Sequence, residues 1–305
     1  MWVLIVQNRL APVVIFVYAR RDHVEKTISA LLSNELSPDT DLIVYSDGAR
    51  SHADVEKVAE VRFFFESLIG FKSVTLRARE HNFGLAKNII EGVTEVLEDH
   101  ESLIVLEDDM VTSPFFLKYM NDALDFYKDD SRIISVHGYI FPVKLLLPET
   151  FFLLGADCWG WATWRRGWEF FNCDGNYLLE KIKQRGLQKK FDFNGAYPYT
   201  QMLLDQIEGR NNSWAIRWYA SAFLADKLTL YPGKSLVLNI GNDGSGTHCE
   251  QENSFDVSLS SQPIVVGSVK VEDSYEGRRA FEEFLNGLRG SFLKRLKRFL
   301  FRFLR

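Results

Sequence analysis

Ser102-Leu103-Ile104-Val105-Leu106-Glu107-Asp108-Asp109 is the stretch that decides the fold. Four consecutive apolar residues bounded by polar ones read as a short strand buried on both faces, the pattern of a parallel sheet. Three adjacent carboxylates at the strand end repel each other, so a cation there relieves an electrostatic cost. Mg²⁺ and Mn²⁺ prefer oxygen ligands, and Mg²⁺ commonly combines one or two carboxylates with substrate phosphates. A solvated acidic turn is the plainer alternative; the position directly after a buried strand favours the metal.

Working outward, the same alternation of strand and helix recurs. Upstream, Val13 to Tyr18 is a β-branched, apolar run, and Asp22 to Leu32 carries Val24, Ile28 and Leu31 at helical spacing. Asp41 to Tyr45 is a second strand, ending at Ser46-Asp47-Gly48. Ser51 and Asp54 resemble a capping box that opens a helix through Leu68. Lys72 to Leu76 reads as a strand and Phe83 to Leu97 as a helix. Downstream, Ser113-Pro114 is an N-cap and first-turn pair for a helix through Tyr127, and Ile133 to Val136 is a further strand. Strands separated by helices of this length imply a mostly parallel sheet with helices on both faces. In such sheets ligands sit beyond the carboxyl ends of the strands, where Arg20-Arg21-Asp22, Asp47-Gly48 and Glu107-Asp108-Asp109 converge.

The second half is less regular. It holds an aromatic segment from Trp159 to Phe171, helical stretches near 176–185 and 199–208, a helix from Trp214 to Ala225, and a short strand pair at 228–238 that leads into a Gly-rich loop. Trp161, Trp164 and Trp168 are spaced i, i+3 and i+7, the spacing of a buried helix stripe. Trp159 and Trp161 are also candidates to stack on a sugar ring, with Asp157 ahead of them as a candidate for hydroxyl contacts.

The chain has 305 residues, 46% hydrophobic and 25% charged, which is ordinary globular composition and excludes disorder or coiled coil for its bulk. Three cysteines make neither a disulfide framework nor a zinc module and suit a reducing compartment. The formal charge of −5 is uneven: the seven basic residues Arg289, Lys294, Arg295, Lys297, Arg298, Arg302 and Arg305, removed from 36, leave 29 against 41 acidic ones, so the body is −12 and the tail +7. So acidic a body is a poor nucleic-acid binder. No segment reaches the roughly 20 apolar residues of a bilayer span. Met1 to Val6 is too short, and lacks the basic region, for a signal peptide.

The order of strand, Arg-Arg, helix, strand, Ser-Asp-Gly, then strand and Glu-Asp-Asp resembles the GT-A nucleotide-sugar glycosyltransferases. The Glu-Asp-Asp form is similar to the metal motif of the N-acetylglucosaminyltransferase I type and of bacterial surface-polysaccharide sugar transferases. Trp159-Gly160-Trp161-Ala162-Thr163-Trp164, Ser213 to Trp218 and Asn239 to His248 resemble later blocks of the bacterial branch. The resemblance implies a GT-A, Rossmann-like catalytic domain over 1–250, followed by a polar extension over 251–288. It implies that Asp109 holds Mn²⁺ or Mg²⁺, that Asp108 and Glu107 place the donor's ribose or sugar, and that Asp47 reads the base. Arg21 matches an arginine near the phosphates, a role its planar fork suits; a surface charge at a helix start is the alternative. Lys87, in His81 to Asn88, either meets phosphate or is a surface lysine at a capped helix start. The glycines of Gly241 to His248 allow a close approach to a diphosphate, and His248 is either a third protein ligand of the metal or structural. The base of an inverting transfer lies after the Gly-Trp block, where Asp205 and Glu208 are the candidates, Asp205 first. The family's paired aspartates ahead of the tryptophan are replaced here by Asn212-Ser213.

Residues 289–305 form the clearest physical pattern. Phe292, Leu293, Leu296, Phe299, Leu300, Phe303 and Leu304 fall on one helical face and the basic residues on the other, Phe301 excepted. This reads as an amphipathic helix on an anionic membrane surface, with docking on the acidic body as the alternative. The expectation is thus a metal-dependent, inverting glycosyltransferase at the inner face of the cell membrane. It would take a nucleotide-sugar donor, a UDP-sugar first, and a glycan or lipid-linked acceptor for surface polysaccharide synthesis. Rivals are a nucleotidyltransferase, disfavoured because Tyr18 to His23 lacks a glycine loop for a triphosphate, and an inactive membrane-bound scaffold or glycan-binding protein.

Overall fold

The computed structural model describes residues 10–241 and 253–288. Met1 to Val6, His248 and the amphipathic segment 289–305 lie outside the described residues. The first half alternates as the sequence predicts: β1 (Val13–Val17), α1 (Arg21–Leu32), β2 (Asp41–Ser46), α2 (Val55–Glu66), β3 (Ser73–Ala78), α3 (Leu85–Asp99) and β4 (Ser102–Glu107). A short strand β5 (Met110–Thr112) follows, then α4 (Phe116–Phe126), β6 (Ile133–His137), β7 (Thr150–Leu154) and β8 (Trp161–Trp164). The remainder is α5 (Arg165–Trp168), α6 (Gly175–Gln184), α7 (Gln188–Phe191), α8 (Tyr199–Ile207), α9 (Trp214–Leu224), β9 (Leu228–Pro232) and β10 (Val237–Asn239), and residues 275–288 are helical.

Eight strands form one sheet in the order β3-β2-β1-β4-β8-β6-β9-β7. β3, β2, β1 and β4 are mutually parallel, β8 runs antiparallel between β4 and β6, β9 is parallel to β6, and β7 closes the edge antiparallel to β9. Helices cover both faces, and β1 shows why its sequence is uninterruptedly apolar. Val13, Ile15 and Val17 join Val24, Ile28, Leu31 and Met120 on one side, while Val14 and Phe16 join Ile89, Val93 and Trp218 on the other. Each fully buried aliphatic or aromatic side chain contributes roughly 1.5–3 kcal/mol. The mixed α/β architecture, with a mostly parallel sheet between helical layers, is the expected one.

The tryptophan pattern is corrected. Trp161 and Trp164 lie on a strand, not a helix, and a separation of three residues on a strand puts them on opposite faces. Trp164 belongs to one core and donates through Nε1 to the Leu124 carbonyl at 3.1 Å. Trp161 belongs to the other, with Trp168, Trp214 and Trp218 around it at ring distances of 5.5–5.9 Å. It is fully buried and has no face left for a sugar.

Residues 253–288, polar in sequence, lie along the sheet's β7 end and against α4. The Ser274 amide donates to Phe152 O on β7, the Leu154 amide to Asp273, Tyr127 OH to Gly267 O and Ser113 Oγ to Ser260 O. Ile264, Phe281 and Leu285 are buried in the core. The edge strand is thereby covered rather than left as an open template. Among the described residues no helix is long and apolar enough to cross a membrane.

Candidate active site at the carboxyl ends of β1, β2 and β4

The register of the sheet assembles the site. Val17 pairs with Ser46 and Phe16 with Glu107, so the turns leaving β1, β2 and β4 emerge side by side. Glu107 ends β4, and Asp108 and Asp109 follow it, each more than nine-tenths buried. The Asp108 carbonyl accepts from Thr27 Oγ1 (2.8 Å) and that of Asp109 from the Ile240 amide (2.9 Å), so the turn is held from α1 and from the end of β10. Desolvation, then the charges of Asp109 and Asp108, push Glu107 up to about 8. Burial also raises Asp108, against the pull of Arg20.

Arg20 closes the cluster. Its Nη2 contacts Asp108 Oδ1 and lies 2.7 Å from Asp109 Oδ2, and its Nε is 3.4 Å from Asp108 Oδ2. Asp109 Oδ1 is buried and has no hydrogen-bond partner. A buried carboxylate oxygen left unpaired is costly, and a hard divalent cation is the partner that an all-oxygen set of this charge accepts. The residues therefore fit Mg²⁺ or Mn²⁺ at Asp109. Among the described residues no group of three or more His, Cys, Asp and Glu side chains is gathered for a metal. Such a cation would complete its shell with oxygens from outside the protein, as Mg²⁺ does with phosphates.

The other expected residues separate. Asp47 is buried, and both its oxygens are used: Oδ1 accepts from the amides of Gly48 (2.9 Å) and Phe83 (2.8 Å), and Oδ2 from the Gly84 amide (2.9 Å) and Asn82 Nδ2 (3.0 Å). Four donors on one carboxylate fill its acceptor sites, so Asp47 clamps the end of β2 to the loop before α3. Gly48 allows that clamp, because a β-carbon there would overlap the His81 backbone. Arg21, expected at phosphate, instead pairs with Glu25 (2.6 Å), donates to Glu60 O (3.0 Å) and stacks on Phe64. These contacts join α1 to α2. Lys87 is exposed on the first turn of α3, 3.6 Å from Glu91 and over the Phe83 ring.

Asp205 and Glu208 share one guanidinium, that of Arg210. Hydrogen bonds from Gln201 and Arg210 hold the Asp205 carboxyl below its usual range, which keeps it an anion but makes it a reluctant proton acceptor. Asp157, in the β7–β8 connection, is partly buried and accepts from Tyr231 OH at 3.1 Å. Burial and then the charges of Asp157, Glu107 and Asp109 raise the thiol of Cys158, so the fields of these three carboxylates overlap at one residue. Trp159 is partly exposed beside them, its ring 4.8 Å from Tyr139 and 5.8 Å from Phe255.

Two residues were not singled out from sequence for what they do here. The resemblance gives a role to Arg21 and none to Arg20, although the first turn beyond β1 must face the turn beyond β4 once the two strands are neighbours. Gly241 lies directly on the Asp109 carboxylate, and the pairing of β10 with β5 carries it there.

Comparison with known proteins adds the following. No curated protein matches the chain. Among solved structures, a mannosyltransferase from Pyrobaculum calidifontis in complex with GDP-Man and Mn²⁺ is 15% identical with a TM-score of 0.32, covering 42% of this chain and 35% of that one. Staphylococcus aureus TarS is 12% identical with a TM-score of 0.32, over 45% of this chain and 23% of that one. A TarS fragment, residues 1–349, is 10% identical with a TM-score of 0.33, over 57% and 49%. The chain thus spans less than half the length of these structures. Residues 13–172 match glycosyl transferase family 2. That match takes in more than half of the chain, from β1 through β8 with the acid triplet between them, and the protein belongs to glycosyl transferase family 2, with the GT-A fold.

Proposed function

We propose that the protein transfers a sugar from a nucleotide-sugar donor to a hydroxyl of a glycan or lipid-linked acceptor, with inversion and with dependence on Mn²⁺ or Mg²⁺. The observation that carries this reading is the buried, unpartnered Asp109 Oδ1 in the Glu107-Asp108-Asp109 turn of a family 2 chain. The cation would be held by Asp109 and would neutralise the departing diphosphate. In the transfer, the acceptor oxygen forms a bond to the anomeric carbon and the bond from that carbon to the diphosphate breaks. The nucleoside diphosphate leaves with the electron pair, and the acceptor's proton goes to a carboxylate.

Asp157 is the carboxylate we assign to that proton. Its charge acts on the same Cys158 thiol as those of Glu107 and Asp109, and among the described residues its side chain accepts from a tyrosine hydroxyl rather than pairing with a cation. Asp205, the first candidate from sequence, and Glu208 are both neutralised by Arg210. Trp159, with Tyr139 and Phe255 behind it, offers the ring face for a sugar that Trp161 lacks. The donor proposed first is a UDP-sugar, and the Glu-Asp-Asp form of the motif supports a likeness to the N-acetylglucosaminyltransferase I type. The pathway stays with surface polysaccharide. The basic, apolar-faced segment 289–305 supports a place on the inner face of the membrane; deleting it should release the protein from anionic liposomes.

The test is release of nucleoside diphosphate from a panel of UDP- and GDP-sugars by the purified protein. Turnover that needs Mn²⁺ or Mg²⁺ and stops in EDTA is expected. Full turnover in EDTA would remove the metal from the reading, and no turnover with any donor would favour the inactive scaffold.

A further inference from the structure

Arg20 and Arg21 are adjacent, yet their side chains are anchored in different ways. Arg21 is tied to Glu25, Glu60 O and the Phe64 ring, all parts of the helical layer. Among the described residues, every side-chain hydrogen bond of Arg20 goes to Asp108 or Asp109. Its side chain keeps 23% exposure while those of Asp108 and Asp109 have 6% and 11%, so it reaches the acids from the solvent side. It makes no cap hydrogen bond to α1 and can leave without unravelling that helix.

The guanidinium is a permanent cation bridging two carboxylates, which is where a divalent ion at Asp109 would exert its field. Two cations within a few ångströms repel strongly in a partly buried site. The nearest new anion that arrives with the cation is the diphosphate of the donor, and a planar guanidinium matches phosphate oxygens two at a time.

We propose that Arg20 is the protein's own counter-cation, holding Asp108 and Asp109 while the donor is absent and passing to the donor's diphosphate when cation and donor enter together, so that metal and nucleotide binding are coupled through this side chain. The inference rests on the metal reading given above. It deepens that reading by giving the site an internal competitor for the metal. Because coupling between two ligands is reciprocal, it is measurable from either one.

The experiment is calorimetric titration of Mn²⁺, alone and with saturating UDP or GDP, into wild type, Arg20→Met and Arg20→Lys. Arg20→Met should bind Mn²⁺ alone at least about tenfold more tightly than wild type, since the competing charge is gone. The factor by which the nucleotide tightens Mn²⁺ should shrink to a similar extent. Arg20→Lys should keep wild-type affinity for Mn²⁺ alone. Arg20→Met should also melt lower in EDTA and regain more on adding Mn²⁺ than wild type does, because its buried acids lack a partner until the ion arrives. Folding of Arg20→Met only in Mn²⁺ is the strong form of the same result. Unchanged or weaker Mn²⁺ binding by a folded Arg20→Met overturns this inference alone. Failure of wild type to bind Mn²⁺ even with nucleotide overturns the metal reading, and the inference with it.

Discussion

Gly241 packs so closely on Asp109 that a β-carbon at position 241 would overlap the carboxylate Oδ2. The contact is built by the ribbon of β5 and β10, in which Asn239 is paired with Met110, and by the Ile240 amide on the Asp109 carbonyl. Gly241→Ala must therefore displace Asp109. We expect Mn²⁺-dependent nucleotide affinity to fall by about tenfold or more, with about 1–3 kcal/mol lost from stability, the usual cost of overpacking. Titration calorimetry and urea unfolding of the same sample check both. Wild-type affinity in the variant would mean that the Asp109 carboxylate is not the ligand.

Asp157→Asn should lower kcat by roughly 10²–10⁴-fold, the usual worth of a general base, and leave donor affinity nearly unchanged. Asp205→Asn should do much less, because that carboxylate serves Arg210 and Gln201. Steady-state kinetics on the two variants decide between them: a large kcat loss in Asp205→Asn with normal turnover in Asp157→Asn would reverse the assignment.

The reach of the sequence is uneven for physical reasons. β1, β2, β4 and β6 were legible because strands buried on both faces are continuous apolar runs. β8 was not, since Trp161, Trp164 and Trp168 fit a helical stripe as well as they fit a strand followed by one turn of helix. The acid triplet could be found because its position after a buried run is a local signal. Arg20 could not be ranked over Arg21, because which of two neighbouring side chains turns toward Asp108 depends on the path of the backbone into α1. The burial of Phe281 and Leu285 was hidden because their segment is mostly polar and its partners are distant in sequence.

His137 gives a pH test of the fold that is independent of the metal. It is buried on β6 with Nδ1 unpartnered, and desolvation lowers it to about 4, with Asp157 opposing. An unfolded histidine titrates near 6.5, so between about 6.5 and 4 the unfolded chain binds the extra proton. Stability from this group is complete above that window and is lost as pH falls through it, by up to about 3 kcal/mol. His137→Phe should flatten this part of the pH dependence of urea unfolding between pH 7.5 and 5. An equal slope in wild type and variant would show that His137 is not the group responsible.

The claim that the Glu107-Asp108-Asp109 turn is a cation-dependent nucleotide site is tested most directly by thermal shift. Wild type and Asp109→Asn would be melted with a panel of nucleotide sugars, with and without Mn²⁺. At least one nucleotide sugar should stabilise wild type only when Mn²⁺ is present, and Asp109→Asn should fold but show no such Mn²⁺-dependent shift. Stabilisation of Asp109→Asn equal to that of wild type, or a wild-type shift indifferent to Mn²⁺ and EDTA, would contradict it.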